Sequence, residues 1–120
     1  MNIIIVGCGK VGEKLTALLS SEGHNVTIID ANANLVENIV NEYDVQGLCA
    51  NGASAEILSE AGCSQCDMFI AVTGSDELNI MCCLFAKKIG AKYTVARVRA
   101  PEYFSQIHFM RDQLGIGHII

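Results

Sequence analysis

One stretch constrains the fold of this chain more than any other: the opening MNIIIVGCGKVG, residues 1–12. Asn2–Val6 is a continuous apolar run, of the kind buried on both faces of a parallel sheet. It feeds directly into Gly7-Cys8-Gly9-Lys10-Val11-Gly12, with glycines at G-x-G-x-x-G spacing. A helix follows from about Lys10 to Glu22, with Val11, Leu15, Leu18 and Leu19 as its apolar stripe and Gly23 closing it. Strand, glycine turn and helix in this order make a phosphate-binding turn. Gly7 permits the tight turn, Gly9 lets a pyrophosphate approach the backbone, and Gly12 lets the helix pack close to the sheet. The helix N-terminus adds unpaired N–H groups and a partial positive charge. The alternative reading is a turn that uses glycine for tightness alone.

The rest of the chain alternates in the same way. Strands are predicted at Val26–Ile29, Val45–Cys49, Met68–Val72 and Tyr93–Arg97. Helices are predicted at Asn34–Tyr43, with Leu35, Val36, Ile39 and Val40 inward, and from Ser54 as cap through Ala61. A long helix spans Asp76–Ile89 and ends at Gly90; a last one starts at Pro101, where the missing N–H costs nothing, and runs to about Leu114. Repeated β–α units mean a parallel sheet with helices on both faces: an α/β, Rossmann-like doubly wound sheet in a single domain over residues 1–120. His118-Ile119-Ile120 looks like the start of a sixth strand, which predicts a domain excised from a longer chain.

Bulk properties narrow the function. A net charge of −5 argues against a nucleic-acid binder, which carries a basic face. No apolar run reaches the length of a membrane span, and nothing resembles a signal peptide. Six cysteines without a secretion signal suggest a reducing cytosol rather than a disulfide framework.

Asp30 ends the second strand, downstream of the glycine turn. A carboxylate there can accept hydrogen bonds from both hydroxyls of an adenosine ribose and repels a 2′-phosphate, which favours NAD over NADP. ATP, ADP and AMP carry the same ribose, so Asp30 selects an unphosphorylated 2′-hydroxyl rather than NAD alone. Its alternative role is a cap for the following helix. Arg97 and Arg99 sit at the carboxyl end of the fifth strand, where such sheets bind ligands; the alternative is a salt bridge to Asp76 or Glu77. Lys10 is either a phosphate contact or a solvated surface lysine. Thr73 and Gly74 are expected to line the crevice. Asp76 and Glu77 suit a helix N-terminus and make it a poor second anion site. Asn51 and Gly52 either border the adenine or form a plain turn.

Cys63-Ser-Gln-Cys66 has C-x-x-C spacing, but it follows a helix and precedes a strand, and no second pair completes a zinc site. Cys82 and Cys83 read as core or interface, and Cys8 as a permissive loop position. His24, His108 and His118 have no carboxylate partner in sequence reach. A dehydrogenase needs an acid–base group and a substrate site. Neither is evident, so the chain is read as a non-enzyme. The competing readings are the cofactor-binding half of an NAD-dependent dehydrogenase and a small redox protein using Cys63 and Cys66.

Five stretches carry a family likeness: GCGKVG, TIIDAN, NGAS, DMFIAVTGSDELNIMCCLFAKKIGA and ARVRAPEY. Together they resemble the N-terminal Rossmann subdomain of Trk-type potassium-uptake regulators, the TrkA-N or RCK/KTN domain, from residue 1 to about 120. The resemblance implies a cytoplasmic regulatory subunit that gates a membrane-embedded potassium transporter or channel from the inner face of the membrane. It implies binding of NAD(H), or of ATP, ADP or AMP in the same site, and assembly into homo-oligomeric dimers or rings. By position, it gives Gly7, Gly9, Lys10, Val11 and Gly12 the phosphates and Asp30 the ribose. Asn51, Thr73 and Arg97 border the rest of the ligand. The family's crossover helix and C-terminal subdomain lie beyond this stretch. Its members usually carry other small or apolar residues where Cys63 and Cys66 stand, which supports a packing role for them. The apolar surfaces of the long helix (Leu78, Ile80 to Ala86) and the last helix (Tyr103, Phe104, Ile107, Phe109) predict an interface between copies, with burial in the monomer core as the alternative.

Overall fold

The computed structural model describes all 120 residues. Its elements in chain order are β1 (Asn2–Val6), α1 (Lys10–Ser21), β2 (Asn25–Asp30), α2 (Ala33–Glu42), β3 (Gln46–Cys49) and α3 (Ala55–Glu60). A 3₁₀ turn at Cys63–Gln65 leads to β4 (Met68–Ala71), α4 (Asp76–Ile89), β5 (Tyr93–Ala96), α5 (Pro101–Phe104), α6 (Ile107–Leu114) and β6 (His118–Ile119). The strands form one parallel sheet in the order β3-β2-β1-β4-β5-β6. The order reverses between β1 and β4, the place where doubly wound sheets open a crevice at their carboxyl edge.

Two apolar layers cover the sheet. Alternate residues of one strand serve opposite layers, because successive side chains point to opposite faces. Ile4 and Val6 of β1 join Phe69, Leu58, Cys82, Cys83 and Ala86 on one face, while Ile3 and Ile5 join Val26, Ile28, Val36 and Ile39 on the other. This double burial explains the unbroken apolar run in β1. No helix is long and apolar enough to cross a membrane.

The helix boundaries follow their caps. The side chains of Asn32, Ser54 and Ser75 accept N–H groups in the first turns of α2, α3 and α4, satisfying donors that the helix leaves free. Asn32, and not Asp30, therefore caps α2. Gly90 ends α4 at φ 136°, a conformation that favours glycine.

Three expectations need correction. Helix α1 buries Gly12 and Thr16 rather than its leucines, and Leu18 is 54% exposed. The helix lies so close to the sheet that its contact ridge holds only small residues, and Leu15 and Leu19 pack from the flanks. On α2, Val36 and Ile39 point inward as expected, but Leu35 and Val40 lie at the exposed margin. The last helix is two helices. After Phe104 the Gln106 N–H donates to the Tyr103 carbonyl, tightening the ladder, and Gln106 leaves helical geometry at φ −109°.

The tightest of the glycine positions is Gly12, where an added Cβ would stand 1.7 Å from the Gly7 carbonyl oxygen. Backbone must move to admit it. Gly12→Ala is expected to destabilise the chain by about 2 kcal/mol or more in urea unfolding, at the upper end for overpacked sites.

Candidate functional site

The carboxyl ends of β1, β2 and β3 and the loop after β4 surround a crevice of about 320 Å³. Its apolar walls are Val6, Ile29 and Leu78, and its polar groups come from Asp30, Asn51 and Thr73. Three of the sequence-predicted site residues are thus brought into one cavity.

The glycine turn adjoins that cavity through Asp30. Asp30 Oδ2 accepts the Cys8 N–H at 2.8 Å, and Oδ1 accepts the Asn32 N–H at 2.8 Å. One carboxylate therefore braces the turn after β1 and begins the turn into α2. Each oxygen keeps a further lone pair for an outside donor. Gly7 adopts φ 111°, and a Cβ on it would stand 2.9 Å from the Val72 carbonyl and the Thr73 nitrogen. The two loops that flank the crevice touch backbone to backbone at this point.

Gly9 differs from its neighbours. A Cβ there would meet nothing within 4 Å. Gly7 and Gly12 are explained by packing inside the protein; Gly9 is not, and the space in front of it is open at the N-cap of α1. A helix N-terminus with no side-chain cap presents free N–H groups to an anion. The residues present fit a phosphate-bearing nucleotide at this position.

The remaining predicted residues lie around this centre. Lys10 is exposed and forms no ion pair, since the one salt bridge of the chain joins Lys92 to Asp67. Val11 packs in the apolar layer beside α1. Gly74 lies in an adjoining shallow groove with Ser75, Asp76, Glu77 and Arg99. Arg97 is half-buried and Arg99 exposed, and neither pairs with Asp76 or Glu77. Asp76 instead accepts the backbone N–H groups of Arg99 and Ala100, and Glu77 accepts the Tyr103 hydroxyl at 2.7 Å. Gly52 is set against Val6, with 2.5 Å between an added Cβ and the valine methyl, so its side of the crevice is shaped by packing. Asn51 holds its own turn, its Oδ1 accepting the Ala53 N–H.

One residue that the sequence reading passed over is central here. Asn79 is fully buried and links Thr73 to Arg97 through its amide. The available signal was an amide on the inward face of an otherwise apolar helix, in helical step with Cys82 and Cys83.

A wider groove of about 560 Å³ lies between α1 and α2, but Glu13 and Glu42 line it. Two carboxylates facing a groove disfavour phosphate, whereas the crevice between β1 and β4 carries one, Asp30.

The cysteines are packing residues. Cys63 and Cys66 are buried against the sheet, with their thiols directed at the carbonyls of Ala86 and Met68. Burial pushes the Cys63 thiol up to about 11 and those of Cys8 and Cys82 up to about 12. Thiolate is the reactive form, so none of these is a poised nucleophile.

The sheet order and the crevice at its reversal define a Rossmann-like α/β domain with a glycine turn on its first strand. The chain belongs to the TrkA-N domain family, whose sequence model matches residues 3–120. It is 36% identical over 120 residues to the Trk system potassium uptake protein TrkA homolog of Methanothermobacter thermautotrophicus, a match covering all of this chain and 54% of that protein. It is 34% identical over 123 residues to TrkA of Vibrio alginolyticus, covering all of this chain and 27% of that protein. The chain thus spans about half the length of one relative and about a quarter of the other. Among solved structures, the TrkA-N domain of inner membrane protein YbaL from Escherichia coli superposes with a TM-score of 0.86 at 18% identity, over 99% of this chain and 85% of that one. The GsuK channel bound to NAD superposes with a TM-score of 0.83 at 18% identity, over 99% of this chain and 21% of that one. The AMP-bound C-terminal domain of Shewanella denitrificans Kef gives 0.79 at 20% identity, over all of this chain and 70% of that one. At these identities the solved structures establish the fold.

Two outcomes follow from the geometry. Asp30→Ala leaves the Cys8 and Asn32 N–H groups without their acceptor and is expected to cost about 1–3 kcal/mol of stability by denaturant titration, before any ligand is added. Alkylation at pH 8 with mass mapping is expected to reach exposed Cys49 first, well ahead of the five buried thiols.

Proposed function

We propose that residues 1–120 form the nucleotide-sensing domain of a potassium-uptake regulator. In this reading the domain binds NAD(H), or ATP, ADP or AMP, in the crevice beside Asp30 and performs no chemistry on it. The observation that carries it is the composition of that crevice. Its polar groups are Asp30, Asn51 and Thr73, its walls hold no histidine, lysine, cysteine or tyrosine, and it adjoins the open glycine turn through the bond from the Cys8 N–H to Asp30. Such a site can hold and orient a ligand; its one ionisable group, Asp30, already accepts the Cys8 and Asn32 N–H groups, and this reading gives its remaining lone pairs to the ribose rather than to proton transfer.

The phosphates lie over Gly9 at the N-terminus of α1, with the Gly7 and Gly12 backbone shaping the turn beneath. Lys10 reaches the phosphates from the exposed side, and Val11 carries the first helical turn that presents its N–H. Asp30 accepts from the ribose hydroxyls. Asn51 and Thr73 border the adenosine end. Gly74 and Arg97 bound the far side toward β5. When the bound nucleotide is NAD(H), the nicotinamide half supplies no reaction here and serves as a recognition element.

Regulation follows from differential affinity. A ligand shifts a conformational equilibrium only by the difference in its affinity for the two arrangements. The arrangements are those of a homo-oligomer, dimer or ring, coupled to a membrane-embedded potassium transporter subunit at the cytoplasmic face. Met81, Phe104 and Phe109 are 44%, 53% and 56% exposed, apolar surface that a second copy would cover. The potassium-uptake names of the relatives support the transport assignment, and the NAD- and AMP-bound neighbours support the ligand class.

A thermal-shift panel of NAD, NADH, NADP, ATP, ADP and AMP tests this reading. A ligand at one hundred times its dissociation constant stabilises the fold by about 2.7 kcal/mol. At least one nucleotide with a free 2′-hydroxyl is expected to raise the midpoint. No shift with any of them overturns the proposal, and a preference for NADP overturns the role of Asp30.

A further inference from the structure

The buried amide of Asn79 makes four hydrogen bonds, and together they fix its orientation. Its Oδ1 accepts the Thr73 N–H at 2.8 Å and the Thr73 hydroxyl at 2.6 Å. Its Nδ2 donates to the Thr73 carbonyl at 3.1 Å and to the Arg97 carbonyl at 2.8 Å. A backbone N–H can only donate and a carbonyl can only accept, so a flipped amide would face donor to donor and acceptor to acceptor. The full capacity of the side chain, two accepted and two donated bonds, is used within the protein.

This has a consequence for Thr73. Its hydroxyl proton has two acceptors within the loop, Asn79 Oδ1 at 2.6 Å and the Ser75 carbonyl at 3.3 Å, and the shorter contact assigns it to Asn79. Its backbone N–H is committed to the same atom. The Ser75 N–H donates to the Thr73 hydroxyl oxygen at 3.2 Å, which leaves that oxygen a lone pair and no proton for the crevice. Thr73, a crevice-lining residue, therefore faces the cavity as an acceptor only. Asp30 across the cavity is an acceptor as well.

We infer that Asn79 is a positioning residue that sets the hydrogen-bond polarity of the crevice: by holding the Thr73 proton it makes that wall accept ligand hydroxyl or amino donors and turn away phosphate. The inference rests on the nucleotide reading above and deepens it, because it orients the ligand. The donor-bearing adenosine end lies between Asp30 and Thr73, and the phosphates are left to the Gly9 end. Asn79 acts without touching the ligand. The same amide ties the loop after β4 to the end of β5 and so holds Thr73 and Arg97 at a fixed spacing.

The test is a double-mutant cycle on ADP affinity in the full chain, using Thr73→Val and Asn79→Ala. With Asn79 present, Thr73→Val is expected to weaken ADP binding about fivefold, the worth of one hydrogen bond. Without Asn79 the Thr73 side chain keeps only the longer Ser75 contacts and is no longer held in one rotamer toward the ligand, so Thr73→Val is expected to cost less than about twofold. The same factor in both backgrounds overturns the inference, since a purely structural asparagine would leave the Thr73 contribution intact. If Asn79→Ala does not fold, the wild-type chain still decides the matter by proton NMR. The Thr73 hydroxyl proton must be protected from exchange and remain close to Asn79 when ADP saturates the site. A hydroxyl proton that exchanges freely, or turns to the ligand, overturns it. If ADP and the other adenine nucleotides fail to bind wild type, the nucleotide reading itself falls, an outcome distinct from additive mutants with intact binding.

Discussion

The structure depends on the approach of α1 to the turn after β1. The helix closes on the Gly7 carbonyl because Gly12 has no side chain, and Gly7 in turn lies against the Val72–Thr73 backbone. These contacts set the height of α1 over the sheet, the direction of its N-terminus and the width of the crevice between β1 and β4. They also explain why the ridge of α1 that faces the sheet consists of Gly12 and Thr16, while Leu18 is left to solvent. A larger residue at the contact would lift the helix and aim its free N–H groups elsewhere.

Around that contact, polar groups satisfy one another and leave a defined remainder. Asp30 accepts from Cys8 and Asn32 and keeps lone pairs for a ligand, while Asn79 absorbs the donors of Thr73. No buried side-chain nitrogen or oxygen lacks a partner. The crevice is thus preorganised as an acceptor-rich pocket next to an open helix N-terminus. This division suits a nucleotide, whose sugar and base donate and whose phosphates accept.

Much of this was legible in the sequence, for identifiable reasons. The alternation of apolar strands and helices marked out the sheet, because burial on both faces keeps Ile3 to Val6 of β1 apolar throughout. The bounds of α4 were readable from Ser75 and Gly90, a cap and a stop with their own chemistry. Asp30, Asn51 and Thr73 could be singled out because each ends or closely follows a strand at the carboxyl edge of the sheet, and the fold brings the three to one crevice. What the sequence hid depended on distance. Hydrophobic spacing marked Leu18 and Leu35 as inward, but only the helix-to-sheet separation decides which positions reach the core. The break between α5 and α6 carries no glycine or proline. Asn79 lies within an apolar stretch, and its partners Thr73 and Arg97 meet only when β4 and β5 pair.

The central claim is that a nucleotide phosphate occupies the open space in front of Gly9. Its most direct test is a calorimetric titration of ADP into Gly9→Val beside the wild type, with the unfolding midpoint of each recorded first. Valine fits the extended backbone at this position, φ −73° and ψ −164°, and its Cβ meets no protein atom within 4 Å, so the fold is expected to persist. The account predicts a folded variant whose ADP affinity falls at least about tenfold, because the side chain fills the phosphate position. A folded variant that binds ADP as tightly as the wild type would contradict it.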